Sequence, residues 1–149
     1  MSFDPAAFLN QTFDEANSTE SVPVPEGEFL AISEGTKVDT WQTRDGSKSG
    51  LKCLVTWSIQ DDNVKQLLER KEVKVRQEFI LDTTETGNLD FGKGKNVTLG
   101  RLREALDLNT PGQPFAFGMI DGRMGKVLVK HRVYNDSIIA EVKGVVKPS

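Results

Sequence analysis

Between Val73 and Leu81 the chain alternates without a break. Val73, Val75, Gln77, Phe79 and Leu81 point one way, and Lys74, Arg76, Glu78 and Ile80 the other. A period of two fits a strand with one buried and one open face, and no helix. The same period recurs from Leu51 to Ile59, with Cys53, Val55, Trp57 and Ile59 on one side and Leu54, Thr56 and Ser58 on the other. From Glu28 to Thr40, Leu30, Ile32 and Val38 share one face, and Gly35 marks a bend or bulge. Arg44-Asp-Gly-Ser-Lys-Ser-Gly50 is a turn by composition, with Asp45-Gly46 at its tip, so these two strands form an antiparallel hairpin. Two more strands are predicted at Gly125–Val133 and Ser137–Val146, joined by Tyr134-Asn-Asp136.

Between the strands the period changes. Asp61-Asp62 can cap a short helix over Asn63–Arg70, with Val64, Leu67 and Leu68 on one side. Thr83–Asn96 is a polar, glycine-containing loop. The stripe Leu99, Leu102 and Leu106 then predicts a helix over Val97–Leu108, capped by Asn96 or Thr98 and stopped at Asn109-Thr-Pro-Gly112. Five strands, a short helix between the second and third and a longer one between the third and fourth, make the plan of a mainly β Greek-key barrel, the OB-fold. A β-sandwich would lack the inserted helix, and a parallel sheet would need more alternation of strand and helix. The body begins after Val22-Pro-Val-Pro25 makes the chain extended. The expected division is an acidic, poorly ordered leader over 1–21 and an OB-like domain over 22–149. Phe3, Phe8 and Phe13, spaced by five, match neither period and read as isolated apolar anchors.

Composition removes several chemistries. A single cysteine, Cys53, excludes an internal disulfide framework and a four-thiolate zinc site. His131 is the only histidine, and on the apolar face of its strand it reads as a satisfied core residue. No metal and no cofactor is expected. No apolar run approaches the length of a membrane span, and the first residues lack the basic and apolar regions of a secretory signal, so a soluble cytoplasmic chain is expected. Charge is uneven. Residues 1–39 hold eight acids and one base, and the remainder fourteen acids and eighteen bases. A basic body behind an acidic leader points to a polyanionic partner or a regulatory arm.

Three groups of residues could meet a polyanion. Gly92-Lys93-Gly94-Lys95-Asn96 leads into a helix N-terminus beside Arg101, an arrangement that can hold a phosphate. Gly87 to Lys93 also matches part of a nucleotide-binding phosphate loop, but Gly94 stands where Ser or Thr would hold magnesium. Lys74 and Arg76 on one strand, and Lys126, Lys130 and Arg132 on another, face away from the apolar sets and could line a groove for a phosphate backbone. Trp41, Phe91 and Tyr134 stand in polar surroundings and could stack bases, whereas Trp57 and Phe79 belong to the core and Phe115 and Phe117 pack under the barrel. A rival reading takes Glu141-Val-Lys143 as half of a magnesium-dependent nuclease motif, with Asp121 or Asp136 as second carboxylate.

The stretch Phe91-Gly-Lys-Gly-Lys-Asn-Val-Thr-Leu-Gly-Arg-Leu-Arg-Glu-Ala-Leu106, with Asn109-Thr-Pro-Gly112, Val129-Lys-His-Arg132 and Ala140-Glu-Val-Lys143, resembles a family of small bacteriophage proteins. These are encoded beside phage replication and recombination genes and were long catalogued as a domain of unknown function. The resemblance spans roughly Pro23 to Lys147. It implies a non-catalytic, sequence-independent single-stranded DNA-binding protein with an OB-like fold, acting in replication or recombination. One departure stands out: such binders usually end in an acidic tail, and here the acids lie in the leader, with none after Glu141. The leader is therefore expected to take that part, folding over the basic groove or docking on a replication or recombination protein through its Phe residues. The alternatives are the nuclease and a protein-interaction module without nucleic-acid affinity. Whether the chain forms a homo-oligomer stays open.

Overall fold

The computed structural model describes residues 3–19 and 21–148. Its strands are β1 (Gly27–Gln42), β2 (Ser49–Ile59), β3 (Lys74–Leu81), β4 (Met124–Tyr134) and β5 (Ser137–Val146). All pairings are antiparallel, in the order β3-β2-β1-β4-β5. The two ends of that order, β3 and β5, come together, so the sheet curls into an OB-like barrel. Helices α1 (Pro5–Leu9), α2 (Asp62–Leu67) and α3 (Val97–Ala105) complete it, with a 3-10 turn at Phe117–Ile120. α3 sits between β3 and β4 in sequence and packs on β5 and β3. None of the described helices is long and apolar enough to cross a membrane.

The alternating runs fill the interior. Cys53, Val55, Trp57 and Ile59 of β2 are fully buried, as are Val127 and Val129 of β4. Leu99, Leu102 and Leu106 bring the α3 stripe onto them. Burial holds the Cys53 thiol at a pKa of about 12, so it is an inert packing group. Gly125 on β4 permits close packing: a Cβ there would lie 2.8 Å from Val145 and 3.4 Å from Leu106.

Several local expectations change. In β1 the core face is Phe29, Ala31 and Ser33, while Leu30 and Ile32 face outward. The bulge expected at Gly35 falls between Ser33 and Gly35 and reverses the parity, so Val38 is on neither the Leu30 face nor in the core, being 40% exposed. Ser33 takes its inward place because its Oγ donates to the Ile120 and Arg123 carbonyls, tying the 3-10 turn to β1. α2 begins as expected, with Asp61 accepting from the Asn63 and Val64 amides, but it ends at Leu67, which is exposed. α3 ends before Leu108, because Asp107 turns left-handed with φ 61°. His131 is half-buried rather than core, its Nε2 2.7 Å from the Val24 carbonyl oxygen. Val133 is exposed, since the β4–β5 hairpin outruns the barrel. Asn135 and Asp136, both with positive φ, make its two-residue turn.

Of the leader, residues 1, 2 and 20 lie outside the described residues. The Phe spacing gave no sign of α1, which starts because Asp4 accepts from the Ala6 and Ala7 amides and Pro5 is preset for a first turn. Phe8 and Phe13 pair their rings at 5.7 Å, yet Phe3, Phe8 and Phe13 are all exposed.

Candidate nucleic-acid interface

Register places the outward side chains of three strands in rows. Gly35, Thr56 and Arg76 make one row; Lys37, Leu54 and Glu78 the next; then Asp39, Lys52 and Ile80; and Trp41 with Gly50 closes the series. Lys74 and Ser58 stand at the opposite end. Thr56 and Leu54 lie in the middle of the face, and charged side chains stand on all three strands. Basic residues gather at the Lys74 and Arg76 end, and apolar ones at the Trp41 and Ile80 end. Lys74 is paired to Glu34 at 3.1 Å, and that contact raises its pKa. Lys52 pairs with Glu78 at 3.0 Å. Arg76 has no ion-pair partner among the described residues, so its charge is the free one on this face.

Trp41 stands half-buried at the end of the face. Its indole lies against Gly50, 2.8 Å from where a Cβ would be, so glycine is what lets the ring settle there. Its Nε1 is buried without a hydrogen-bond partner among the described residues. Beyond it the β1–β2 turn carries Arg44 and Lys48. This turn is built on Asp45, whose carboxylate accepts from the Ser47 amide, the Ser47 hydroxyl and the Thr43 hydroxyl. Those bonds hold the Asp45 carboxyl down at about 2. Lys37, Arg44, Lys48, Lys52 and Ile80 were not among the expected site residues. Alternation alone could have added Lys52, which shares the face of Leu54; Lys37 needs the bulge, and the turn residues need the fold.

The loop 82–96 forms a second group. Asn96 occupies the N-terminal position of α3 but does not cap it. Instead it exchanges bonds with Asp82: the Asp82 amide donates to its Oδ1, and its own amide donates to Asp82 Oδ2, both at 2.8 Å. Its Nδ2 also donates to the Asp82 and Asp90 carbonyls. This staple closes the loop and leaves Lys93, Lys95 and Arg101 exposed, without ion pairs among the described residues. Phe91 is 79% exposed. It stands at a cavity of about 620 Å³ lined also by Leu89, Arg103, Phe115 and Phe117. There Phe115 and Phe117 are partly buried against the core, and the Arg103 guanidinium lies 4.2 Å above the Phe115 ring.

The third group is the outer side of β4. Lys126 pairs with Glu28 at 3.7 Å and Arg132 with Glu141 at 3.2 Å. Lys130 lies near Glu26, whose carboxyl is lowered chiefly by the His131 amide that donates to it. Tyr134 is exposed, with Arg132 5.6 Å from its ring centre. In the sheet order β1 and β2 stand between β4 and β3 on one side, while across the closure β5 alone separates these two basic strands. Glu141 is held by Lys143 at 2.8 Å and by Arg132, contacts that lower its pKa. Asp121 precedes β4 and Asp136 follows it, at opposite ends of that strand. Among the described residues no cluster of acids forms around Glu141. No family model matches the chain, and no curated protein matches it.

Proposed function

We propose that the chain binds single-stranded DNA without marked sequence preference, as a phage-type protein of replication or recombination, through the outward face of β1, β2 and β3. What supports this most is that face itself. OB-folds take oligonucleotides on strands 2 and 3 and their flanking loops, and here that surface carries Arg76, unpaired among the described residues, at one end and Trp41 with Ile80 at the other. A backbone phosphate suits the guanidinium, and bases suit the aromatic end. Lys93, Lys95 and Phe91 on the loop, Arg101 on α3, and Lys130 and Tyr134 on β4, are the flanking contacts.

Anisotropy titration of a labelled poly-dT oligonucleotide, against duplex and across a salt series, tests it. The single strand binds more tightly, and log K falls linearly with log salt. Arg76→Ala flattens the salt slope by about 0.7, the share of one single-strand phosphate contact. Trp41→Ala weakens binding by about 1–3 kcal/mol with the slope unchanged. Flat anisotropy at low salt, with or without the leader, overturns the proposal in favour of an interaction module. Magnesium-dependent cleavage of the same oligonucleotide overturns it in favour of a nuclease.

A further inference from the structure

β1 is paired on both sides only along its first half. Its ladder with β4 ends at Ile32 opposite Met124, while its ladder with β2 runs on to Gln42 opposite Ser49. Gly35–Gln42 is therefore an open edge. The turn shows which groups that edge presents. The Thr43 amide donates to the Lys48 carbonyl at 2.9 Å, and antiparallel ladders alternate. Residues 35, 37, 39 and 41 thus bond to β2, and the N–H and C=O groups of Thr36, Val38 and Thr40 face away from it. No other strand reaches them among the described residues. The Thr40 amide instead takes the neighbouring Asp39 Oδ1 at 2.8 Å. Val38 is 40% exposed, and Thr36 Oγ1 is buried without a partner among the described residues.

Charges on an exposed edge commonly repel a further strand. Here they are complementary to their own copy. We propose that a second copy of this chain pairs antiparallel with this edge about a two-fold axis at Val38. Lys37 then stands opposite Asp39 of the second copy, Thr36 opposite its Thr40, Val38 opposite its Val38, and Gly35 opposite its Trp41. The Val and Thr pairs meet on one side of the extended sheet, and the ion pairs on the other. Within one chain Lys37 and Asp39 make only a loose contact of 3.9 Å, both well exposed; directly opposite partners interact better. The charges also select the register. A slip of two residues sets Lys37 against Lys37 or Asp39 against Asp39, and parallel pairing does both. Gly35 has nothing within 4 Å of where a Cβ would lie, so the opposing Trp41 is not obstructed. One short strand pair buries little surface, so the dimer dissociates on the order of micromolar concentrations.

Sedimentation velocity of the full chain over a concentration series reads the dimer directly, without nucleic acid, so its outcome is independent of the DNA-binding proposal. Lys37→Asp and Asp39→Lys each weaken it by about tenfold or more, and the exchange carrying both restores it to within about threefold. Val38→Pro removes an edge N–H that β2 does not use. It abolishes the dimer while thermal unfolding stays cooperative. A wild-type chain that is monomeric at every concentration, or a dimer indifferent to the single reversals and to Val38→Pro, overturns the proposal.

Discussion

Gln77 sits on the apolar face of β3 and is 2% exposed, an uncommon place for an amide. Its Oε1 accepts from the Trp57 indole N–H at 3.1 Å, and that ring is wholly buried. Gln77→Leu fills the space but leaves the indole N–H unpaired, so it destabilises the fold by about 1–3 kcal/mol. A urea titration reads this as a lowered midpoint at unchanged slope; an unchanged midpoint would mean that another acceptor replaces the amide. Alternation placed Gln77 inward correctly, and Trp57 in the core with it. What β2 needed from that amide was not legible, because the two residues are twenty positions apart and meet only through the Val55–Gln77 and Trp57–Val75 pairs of the ladder. Asn96 shows the converse. Its residue type and place advertised a helix cap, but with φ 52° its side chain closes the loop on Asp82 instead.

At the scale of elements, the β1–β2 turn carries a pH dependence of its own. Asp45 titrates at about 2 in the fold because the bonds from Ser47 and Thr43 favour its carboxylate, whereas an unfolded aspartate titrates near 4, by roughly its ordinary value. A lowered folded pKa gives stability that is full above the unfolded value and lost as pH falls through the folded one. The gap in denaturation midpoint between wild type and Asp45→Asn should therefore be constant above about pH 4 and close towards pH 2. A gap that persists at pH 2 would assign the effect to hydrogen bonding alone. The turn itself was readable from Asp45-Gly46, since Gly46 adopts φ 73°. The bulge in β1 was readable as an event at Gly35, but not its consequence, which is to send Val38 to the open edge and Lys37 to the outward face.

Over the whole molecule, the acidic leader adds nothing to the core among its described residues. Its described residues 3–19 are all exposed, and the first buried residue among those described is Val24, whose carbonyl oxygen meets His131. Thr19, Ser21 and Pro23 lie beside Asp136 and Ile138 at the tip of the β4–β5 hairpin, a loop that borders the oligonucleotide face in this architecture. If the leader competes with DNA for the basic residues, deleting residues 1–21 tightens poly-dT binding at low salt, and the gain disappears as salt rises. Equal affinity of the two forms at low salt would leave the leader a docking arm only.

The sequence by itself determined the strands, the hairpin turns and the inserted helix, because a side-chain period and a turn residue act over neighbouring positions. With them came the barrel plan and most of its core. The tertiary structure alone decided which charges are free. Glu34, Glu28 and Glu141 neutralise Lys74, Lys126 and Arg132, while Arg76 on the outward face has no ion-pair partner among the described residues. It also decided that half of β1 has an open edge. These depend on register and closure between strands distant in the chain, and a one-residue shift at a single bulge reverses what each side chain meets.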